Sequence, residues 1–364
     1  MILLSDPDLS LAELEAVQEA LQSPCLDAGP RLEAFEAAFA AALGRRCAVA
    51  VASAALALWL SLKSQGIGSS DEVIASPFSL RQTVCGIPLA GARAVFADVD
   101  YWSGTLAPEA AAAAITSRTR AIVAGNTNGH PAAWSALKTL ADRHHLLLIE
   151  DSSEALGSRY QGQLVGSFGE LAIFDLSQPG PLSTGCGAMV VTDDTALATK
   201  LRTLRENCRA HLSELQAALG LVQLNRLDEI LARRKEVESY YLEHIQSFEG
   251  IKPPYLAPEA DAVHWMVYLV HLGTRFSRSS RDAILHDLAT AGVEAKAFCH
   301  PWHLSPAFAD LGYRRGEFKV AEKLADRAIA LPFHAHLRED QVGSIVQALK
   351  DASVNVGAGA AIYL

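Results

Sequence analysis

Short apolar runs of strand length alternate with segments of helical periodicity through the first two thirds of the chain. We predict strands at 47–52, 72–76, 94–98, 121–124, 146–150, 171–174 and 188–192, and helices at 11–21, 32–43, 53–63, 80–90, 108–114, 132–144 and 195–205. Strands that are joined by helices pair mainly in parallel, and the helices cover both faces of the sheet. The sequence therefore predicts an α/β fold with a mostly parallel sheet, whose ligands bind beyond the carboxyl ends of the strands.

The pattern changes in the last third of the chain. A long helix is predicted at 213–234, with a further helix at 235–248. The apolar stripe of the first of these helices consists of Leu215, Leu219, Val222 and Ile230. Beyond it, a strand at 266–272 and helices at 279–291 and 339–349 indicate a small α+β unit. We therefore expect a large domain at 1–248 and a smaller C-terminal domain at 249–364.

Composition excludes several classes of protein. The net charge is −10, and the 31 lysines and arginines are scattered, which argues against nucleic acid or an anionic membrane as the main partner. The first residues lack the basic and apolar regions of a signal peptide, and no apolar run is long enough to span a membrane. The six cysteines include no CxxC pair, so we expect free thiols in a reducing cytoplasm.

A loop broken by proline and glycine separates the last two strands of the predicted large sheet. Pro179 and Pro181 remove backbone donors, while Gly180 and Gly185 permit dihedral angles that other residues avoid. A segment of this composition between two apolar strands indicates a loop of fixed shape. It also lies where the carboxyl end of a parallel strand faces the ligand.

Several phrases along the chain are similar, in order and spacing, to those of one enzyme family. They are SPCLDAGP at 23–30, IED at 149–151, VGSFG at 165–169, LDEI at 227–230 and LGY at 311–313. In these phrases the chain resembles the DegT/StrS family of sugar aminotransferases, which are fold-type-I enzymes that use pyridoxal phosphate (PLP). The resemblance implies that fold, a homodimer, and a site built around the cofactor.

Such a site needs a lysine that forms the Schiff base, an aspartate at the pyridine nitrogen, an aromatic side chain on the ring, and donors for the phosphate. Asp151 matches the aspartate. The lysine position falls on Gly180, and no lysine occurs between Lys138 and Lys200. By this resemblance the chain is a divergent member that lacks the Schiff-base lysine.

Other positions that contact the cofactor in the family also differ. The stacking aromatic residue falls on Leu80, the phosphate-binding serine on Asp175, and the glutamine near the ring hydroxyl on Glu154. Ser53 keeps a hydroxyl at a predicted helix N-terminus, where a phosphate binds well. The asparagine of the loop that reaches the partner subunit aligns with Arg209, and that loop is shorter here than in the family.

We predict four catalytic candidates, namely Asp151, Glu154, Asp175 and Cys186. Carboxylates in one cavity can act as acid and base when burial separates their pKa values, and a cysteine beside glycines can act as a nucleophile. Each has a structural alternative: hydrogen bonding for Asp151, solvated or paired carboxylates for Glu154 and Asp175, and an inert thiol for Cys186.

The predicted substrate-binding residues occupy former cofactor positions or the mouth of the site. They are Ser53, Leu80, Arg81, Gly180, Ser183, Arg209, His300 and His303. Arg81 either binds an anionic group or is solvated. His300 and His303 match a segment at the mouth of the site in the family, and their spacing without a third ligand does not predict a metal site.

Three functions remain open at this point. We favour an enzyme of sugar-derived or natural-product biosynthesis that works without PLP, acting on a small molecule in the vacated cavity. The second is a non-catalytic subunit that pairs with an active aminotransferase of the same family. The third is a dehydratase or isomerase that binds pyridoxamine phosphate (PMP). We expect no cofactor in the favoured case.

Overall fold

The computed structural model describes residues 1–245 and 251–362, and this part of the chain contains thirteen strands. They are β1 (Cys47–Val51), β2 (Glu72–Ala75), β3 (Arg93–Phe96), β4 (Thr119–Gly125), β5 (Leu147–Asp151), β6 (Arg159–Tyr160), β7 (Gln163–Leu164), β8 (Leu171–Asp175), β9 (Ala188–Thr192), β10 (Ile251–Lys252), β11 (Tyr268–Leu272), β12 (Lys296–Ala297) and β13 (Ala328–Leu331).

The same residues contain twelve α-helices. They are α1 (Leu11–Leu21), α2 (Pro30–Ala42), α3 (Ala54–Ser64), α4 (Gly86–Leu89), α5 (Pro108–Ala113), α6 (Trp134–His144), α7 (Thr195–Cys208), α8 (Glu214–Asn225), α9 (Leu227–Ile245), α10 (Arg278–Thr290), α11 (Lys319–Ala325) and α12 (Glu339–Ile362). Within the described ranges, no helix has both the length and the apolar character needed to cross a membrane.

Seven strands form the large sheet in the order β1-β9-β8-β5-β4-β2-β3. β9 runs antiparallel to both of its neighbours, and the other neighbouring pairs are parallel. The carboxyl ends of β1, β2, β4, β5 and β8 therefore lie along one edge. The predicted mostly parallel sheet is confirmed, and each of its seven strands lies within two residues of its predicted bounds.

Helices cover both faces of this sheet because alternate side chains of a strand point to opposite sides. In β1, Val49 and Val51 belong to the core cluster that contains Leu58 of α3, whereas Ala48 and Ala50 pack with α2 on the other face. The sheet is thus a buried central layer, and its strand ends are the exposed part that can hold a ligand.

The small sheet is antiparallel throughout, in the order β10-β11-β13-β12. Arg234 of α9 is buried and donates hydrogen bonds to the carbonyl oxygens of Trp265, Met266 and Phe333. Burial lowers the pKa of this guanidinium to about 10. The α+β character predicted for this part is confirmed. The predicted boundary at 248/249, like the predicted helix end at 248, lies outside the described residues.

The single helix predicted at 213–234 is two helices, α8 and α9, with Arg226 between them. The guanidinium of Arg226 is drawn to the N-terminal segment, where it pairs with Asp8 at 2.7 Å and also with Glu13. α8 buries Ala217 and Ala218 within the chain, whereas the predicted leucine stripe on the same helix is only half-buried.

The helix predicted at 80–90 is also wrong. The chain forms a loop, a short 3-10 turn at Thr83–Cys85 and the single turn of α4. Pro88 has no N–H to donate, and Gly86 lies so close to α3 that an added Cβ would be 2.5 Å from the carbonyl oxygen of Ala55. Residues 76–82 are therefore free to fold over the strand ends.

Two helical glycines test how tightly the large domain is packed. A Cβ at Gly220 of α8 would lie 2.5 Å from the buried ring of Phe35, whereas at Gly343 of α12 it would meet only the tip of His244 at 3.2 Å. We expect G220A to destabilise the protein by about 1–3 kcal/mol through overpacking, despite the better helix propensity of alanine.

The matched control is G343A, which we expect to be neutral or slightly stabilising because the imidazole can move aside. Denaturant unfolding of both variants measures the difference. A G220A variant as stable as G343A would show that α2 and α8 are less tightly packed than the contact distance implies.

Candidate active site

A cavity of about 440 Å³ lies at the carboxyl ends of the large-sheet strands. It is lined by the start of α3 (53–55), residues 80–82, the loop between β8 and β9, and residues of the small sheet and its approach, including Val267, Lys296 and Ala330. We call it the strand-end cavity. Of the twelve predicted site residues, five line it, namely Ser53, Leu80, Arg81, Asp175 and Cys186.

The β8–β9 loop is held closed by backbone hydrogen bonds. Leu176 donates its N–H to the carbonyl oxygen of Gly187 and accepts from the N–H of Thr184, both at 2.9 Å. Gly187 has φ +118°, a value that favours glycine, and a Cβ there would clash with Leu212. The loop therefore has one shape, and its first half forms a wall of the cavity.

The guanidinium of Arg81 lies inside this loop. Its Nη1 donates to Ser177 Oγ at 2.8 Å and to the carbonyl oxygen of Gln178 at 3.2 Å, and its Nη2 donates to the carbonyl oxygens of Ser177, at 2.9 Å, and Pro179. The residue is only 5 % exposed, and its Nε has no partner among the described residues. Arg81 is thus neither solvated nor free, and it fixes the loop.

Asp175 is the carboxylate closest to this arginine. Its Oδ1 accepts the N–H of Ser177 at 2.8 Å and lies 3.8 Å from Arg81 Nη1. The carboxylate is therefore paired with a cation and also starts the loop, while one side of it faces the cavity. Asp175 is thus a paired carboxylate, as the structural alternative predicts, and it also lines the cavity, as the catalytic alternative requires.

Glu154 is not placed to form a catalytic pair with Asp175 in the cavity, because only Asp175 of the two lines it. Its Oε1 accepts hydrogen bonds from Ser79 Oγ and from the N–H groups of Leu80 and Arg81, and its Oε2 accepts the N–H of Asn128 at 2.6 Å. The side chain is buried by these donors and lies outside the lining of the strand-end cavity. Its contacts make it a positioning residue for the loop that carries Arg81.

Asp151 is the last residue of β5, so the fold places its carboxylate at the ligand-facing edge of the sheet. Burial raises its pKa to about 6, opposed by hydrogen bonds from Ser153 and Thr83, and the nearby charge of Glu154 raises it further. Ser153 N–H donates to Asp151 Oδ1 at 3.1 Å. Both readings of this residue, structural and functional, are compatible with these contacts.

Ser53 and Cys186 both line the strand-end cavity. Ser53 caps α3, its hydroxyl accepting the N–H of Leu56 at 3.3 Å. Cys186 is exposed, and the amide of Gln216 lies 3.0 Å from its Sγ. An amide is not a base, so the structure supplies Cys186 with a hydrogen-bond donor rather than with a group that would activate it.

Five predicted substrate-binding residues lie outside the cavity lining, namely Gly180, Ser183, Arg209, His300 and His303. Ser183 is buried and accepts the N–H of Gly185, and Arg209 ends α7 with an exposed side chain. His300 is exposed, and His303 is buried against Glu322 at 3.2 Å within an aromatic cluster. The predicted role of His303 at the mouth of the site is therefore not supported by its position. In the described ranges, no group of three His, Cys, Asp or Glu side chains is arranged to hold a metal.

The sequence did not point to Ser177, Gln178 or Lys296, which also line the cavity. Ser177 and Gln178 follow Asp175 in the same loop, so the position of that loop after β8 could have predicted them as well. Lys296 lies on the two-residue strand β12 and pairs with Glu294 at 2.9 Å. No local pattern links that strand to the large sheet, because the contact is purely tertiary.

The sheet order, the single antiparallel strand and the cavity at the strand ends define the fold-type-I aminotransferase architecture. The chain belongs to the DegT/DnrJ/EryC1/StrS aminotransferase family, which matches residues 7–350. It is 37 % identical to the erythromycin biosynthesis sensory transduction protein EryC1 of Saccharopolyspora erythraea, over 88 % of this chain and 90 % of that one. It is 33 % identical to the GDP-perosamine synthase of Caulobacter vibrioides, over 97 % and 98 %.

Solved structures agree with this assignment. The crystal structure of S. venezuelae DesV in complex with a ketimine intermediate has a TM-score of 0.87 and 33 % identity to this chain, with 94 % of each chain covered. The resemblance inferred from the sequence phrases is thus confirmed at the level of family and fold. Spr1654 of Streptococcus pneumoniae, solved in a PLP form, has the same fold, with a TM-score of 0.90 and 24 % identity over 97 % of this chain and 98 % of that one.

At the position where the resemblance predicts the Schiff-base lysine, the residues present do not fit a PLP that is held by a lysine. Residue 180 is glycine, and the atom nearest to it from a side chain is Arg81 Nη2, 3.7 Å from an added Cβ. The cavity presents Leu80 in place of an aromatic ring, and the Asp175 carboxylate in place of a hydroxyl. Among the described residues that line the cavity, Lys296 is the only lysine, and it lies on β12 of the small sheet and not in the β8–β9 loop.

The positioning role of Glu154 gives a first test. E154Q replaces an acceptor of four hydrogen bonds by an amide whose NH₂ group faces N–H donors, so we expect a loss of about 2–3 kcal/mol in unfolding free energy. The matched control is E19Q on the exposed face of α1, which should change stability by less than about 0.5 kcal/mol. Equal stability of the two variants would contradict the role assigned to Glu154.

The raised pKa of Asp151 gives a second test. The folded state keeps the proton at a pH where the unfolded chain has lost it, so this carboxyl stabilises the fold fully below about pH 4, and that contribution is lost as the pH rises through about 6. D151N cannot ionise, so its stability relative to the wild type should rise between about pH 4.5 and pH 7.5, as measured by denaturant unfolding.

D340N is the control for this titration. Asp340 is exposed, and the side chain of Arg338 lowers its pKa, so its charge is constant over the same interval. Its stability difference from the wild type should not change between the two pH values. A flat difference for D151N would mean that Asp151 is ionised and solvated in the folded protein.

Proposed function

We propose that this chain is an enzyme of sugar-derived or natural-product biosynthesis that acts on a small molecule without PLP. The observation that carries the proposal is the arrangement at residue 180, where a glycine faces the guanidinium of Arg81 while about 440 Å³ of cavity remains beside it. A cavity of this size lies within the range that binds small ligands. The site therefore has no lysine side chain at residue 180 but keeps a cavity that is large enough for a small substrate.

The remaining lining suits a polar substrate with an apolar side. Ser53, Asp175, Cys186 and Lys296 supply a hydroxyl, a carboxylate, a thiol and an amine, while Leu80 contributes an apolar wall. A carboxylate and an amine in the lining of one cavity can serve proton transfer to and from a bound molecule. The names of the relatives, which include a spore coat polysaccharide biosynthesis protein and GDP-perosamine synthase, support a sugar-derived substrate class.

We also propose that the protein works as a homodimer. Leu11, Leu14 and Leu21 of α1 are between 57 % and 74 % exposed and lie on one side of the helix. The half-buried leucine stripe of α8 is on the helix against which α1 packs. Exposed apolar surface of this kind marks an interaction site.

The same surface favours a second candidate, a non-catalytic subunit that pairs with a lysine-containing aminotransferase of the family. The two candidates differ in what covers the leucines of α1. Purified alone, the first forms a stable homodimer with its own turnover of sugar-derived substrates. The second shows turnover only after mixing with the lysine-containing protein, and its mass in solution then corresponds to a mixed dimer.

Cofactor titration tests the proposed function directly. The wild-type protein is titrated with PLP and PMP to millimolar concentration while visible absorbance and melting temperature are followed, with a lysine-containing family member as positive control. We expect no absorbance band and no rise in melting temperature, because a ligand that binds the folded state must stabilise it.

Borohydride reduction followed by peptide mapping completes this test, since it traps any imine that PLP forms with Lys296. A saturable band, a saturable thermal shift or a modified Lys296 would show that the chain still uses a pyridoxal cofactor. Binding of PMP alone would make the dehydratase or isomerase the better description.

A further inference from the structure

We propose that Arg81 is the specificity-determining residue of the strand-end cavity, and that its guanidinium excludes an aldehyde cofactor held by a lysine. This inference deepens the proposed function and rests on it. The guanidinium lies beside residue 180, where its Nη2 is 3.7 Å from an added Cβ. The two positions therefore form a complementary pair, one without a side chain and the other with a long one.

The backbone at residue 180 does not require glycine. Its φ is outside the left-handed region in which glycine is favoured, unlike that of Gly185 and Gly187 in the same loop. An added Cβ at Gly180 would lie 3.6 Å from the carbonyl oxygens of Ser177 and Leu182, which is ordinary contact. Backbone strain thus does not explain the absence of a side chain at this position.

What a longer side chain from residue 180 would meet is Arg81. Nη2 of Arg81 is the nearest side-chain atom, 3.7 Å from the added Cβ. Any second or third carbon would have to displace the guanidinium or turn away from it. A lysine at residue 180 that extends toward Arg81 would therefore compete with the guanidinium for the same space.

The guanidinium cannot move aside easily. It satisfies the carbonyl oxygens of Ser177, Gln178 and Pro179, and it is the cation that faces the carboxylate of Asp175. Moving it would leave three partly buried carbonyl oxygens without this donor and the partly buried carboxylate of Asp175 without its counter-ion, and both losses destabilise the loop. Arg81 is in turn held by Glu154, which binds its backbone N–H. Glu154 therefore holds the backbone of Arg81, while the β8–β9 loop holds its guanidinium.

The experiment compares four variants: G180K, R81A, R81A/G180K and R81M/G180K. Each is incubated with PLP, reduced with borohydride, and mapped for the phosphopyridoxyl group by mass spectrometry. We expect residue 180 to be modified in the double variants and about tenfold less in G180K, a difference that corresponds to roughly 1.4 kcal/mol of added cost from the guanidinium. R81M keeps an unbranched side chain of similar length without the charged group. It can replace R81A in the comparison if R81A does not fold.

R81A/Q178K is the control for a lysine placed elsewhere in the same loop, and it should be modified no more than G180K. Circular dichroism and the unfolding transition establish that each variant is folded. Equal modification of G180K and the double variants would overturn the proposal, because Arg81 would then present no barrier. Absence of modification in folded double variants would also overturn it, because removal of Arg81 would not have opened the site.

The outcomes separate this inference from the proposed function. Binding of PLP by the wild-type protein, or its reaction at Lys296, contradicts the function and leaves the comparison at residue 180 intact. A failure at residue 180 with a cofactor-free wild type contradicts only the role of Arg81.

Discussion

One buried guanidinium determines the shape of the strand-end cavity. Arg81 binds three consecutive carbonyl groups of the β8–β9 loop and balances the carboxylate of Asp175, so the loop and the charge are fixed by the same group. Because an arginine fork presents several donors in one plane, it can hold a turn that has few internal backbone bonds. Asp175 and Ser177, two of the polar residues that line the cavity, contact this guanidinium directly.

Buried carboxylates have a comparable role behind the cavity wall. Glu150 accepts hydrogen bonds from Asn126, Ser152, Gly166 and Phe168, and Glu154 accepts them from the loop that carries Arg81. Charged groups of this kind are stable in the interior only when their lone pairs are occupied. They join the loops after β2, β4 and β5 into one unit, so the edge of the sheet is rigid where the ligand would bind.

The strands were predictable from the sequence because their signal is local. Apolar runs such as β5 and β9 are bounded by polar or glycine residues, and alternation with helices predicts that most of the strands pair in parallel. The exception is β9, which follows β8 through a loop and runs antiparallel to its neighbours. The helix at 80–90 and the unbroken helix at 213–234 were wrong because tertiary contacts decided them: Gly86 against α3 in one case, and Arg226 with Asp8 and Glu13 in the other. The family followed from the order of short phrases.

The candidate site was only partly predictable, since five of twelve residues line the cavity. Positions after a strand, such as Asp175, were found because strand ends converge. Lys296 was missed because the packing of two sheets, and not a motif, brings it there. The hydrogen bonds of Glu154 and His303 could not be predicted, because a titratable side chain near a motif gives no sign of its partners, and the site roles of both residues stay predictions.

The complementarity of Gly180 and Arg81 has a consequence for the history of the chain. Two positions far apart in sequence meet in this loop, and a side chain longer than Cβ that extends from residue 180 toward Arg81 would compete with the guanidinium for space. Under the proposed function, a lysine at residue 180 would serve a cofactor only together with a smaller residue at position 81. A return to lysine-based chemistry would then require two substitutions instead of one.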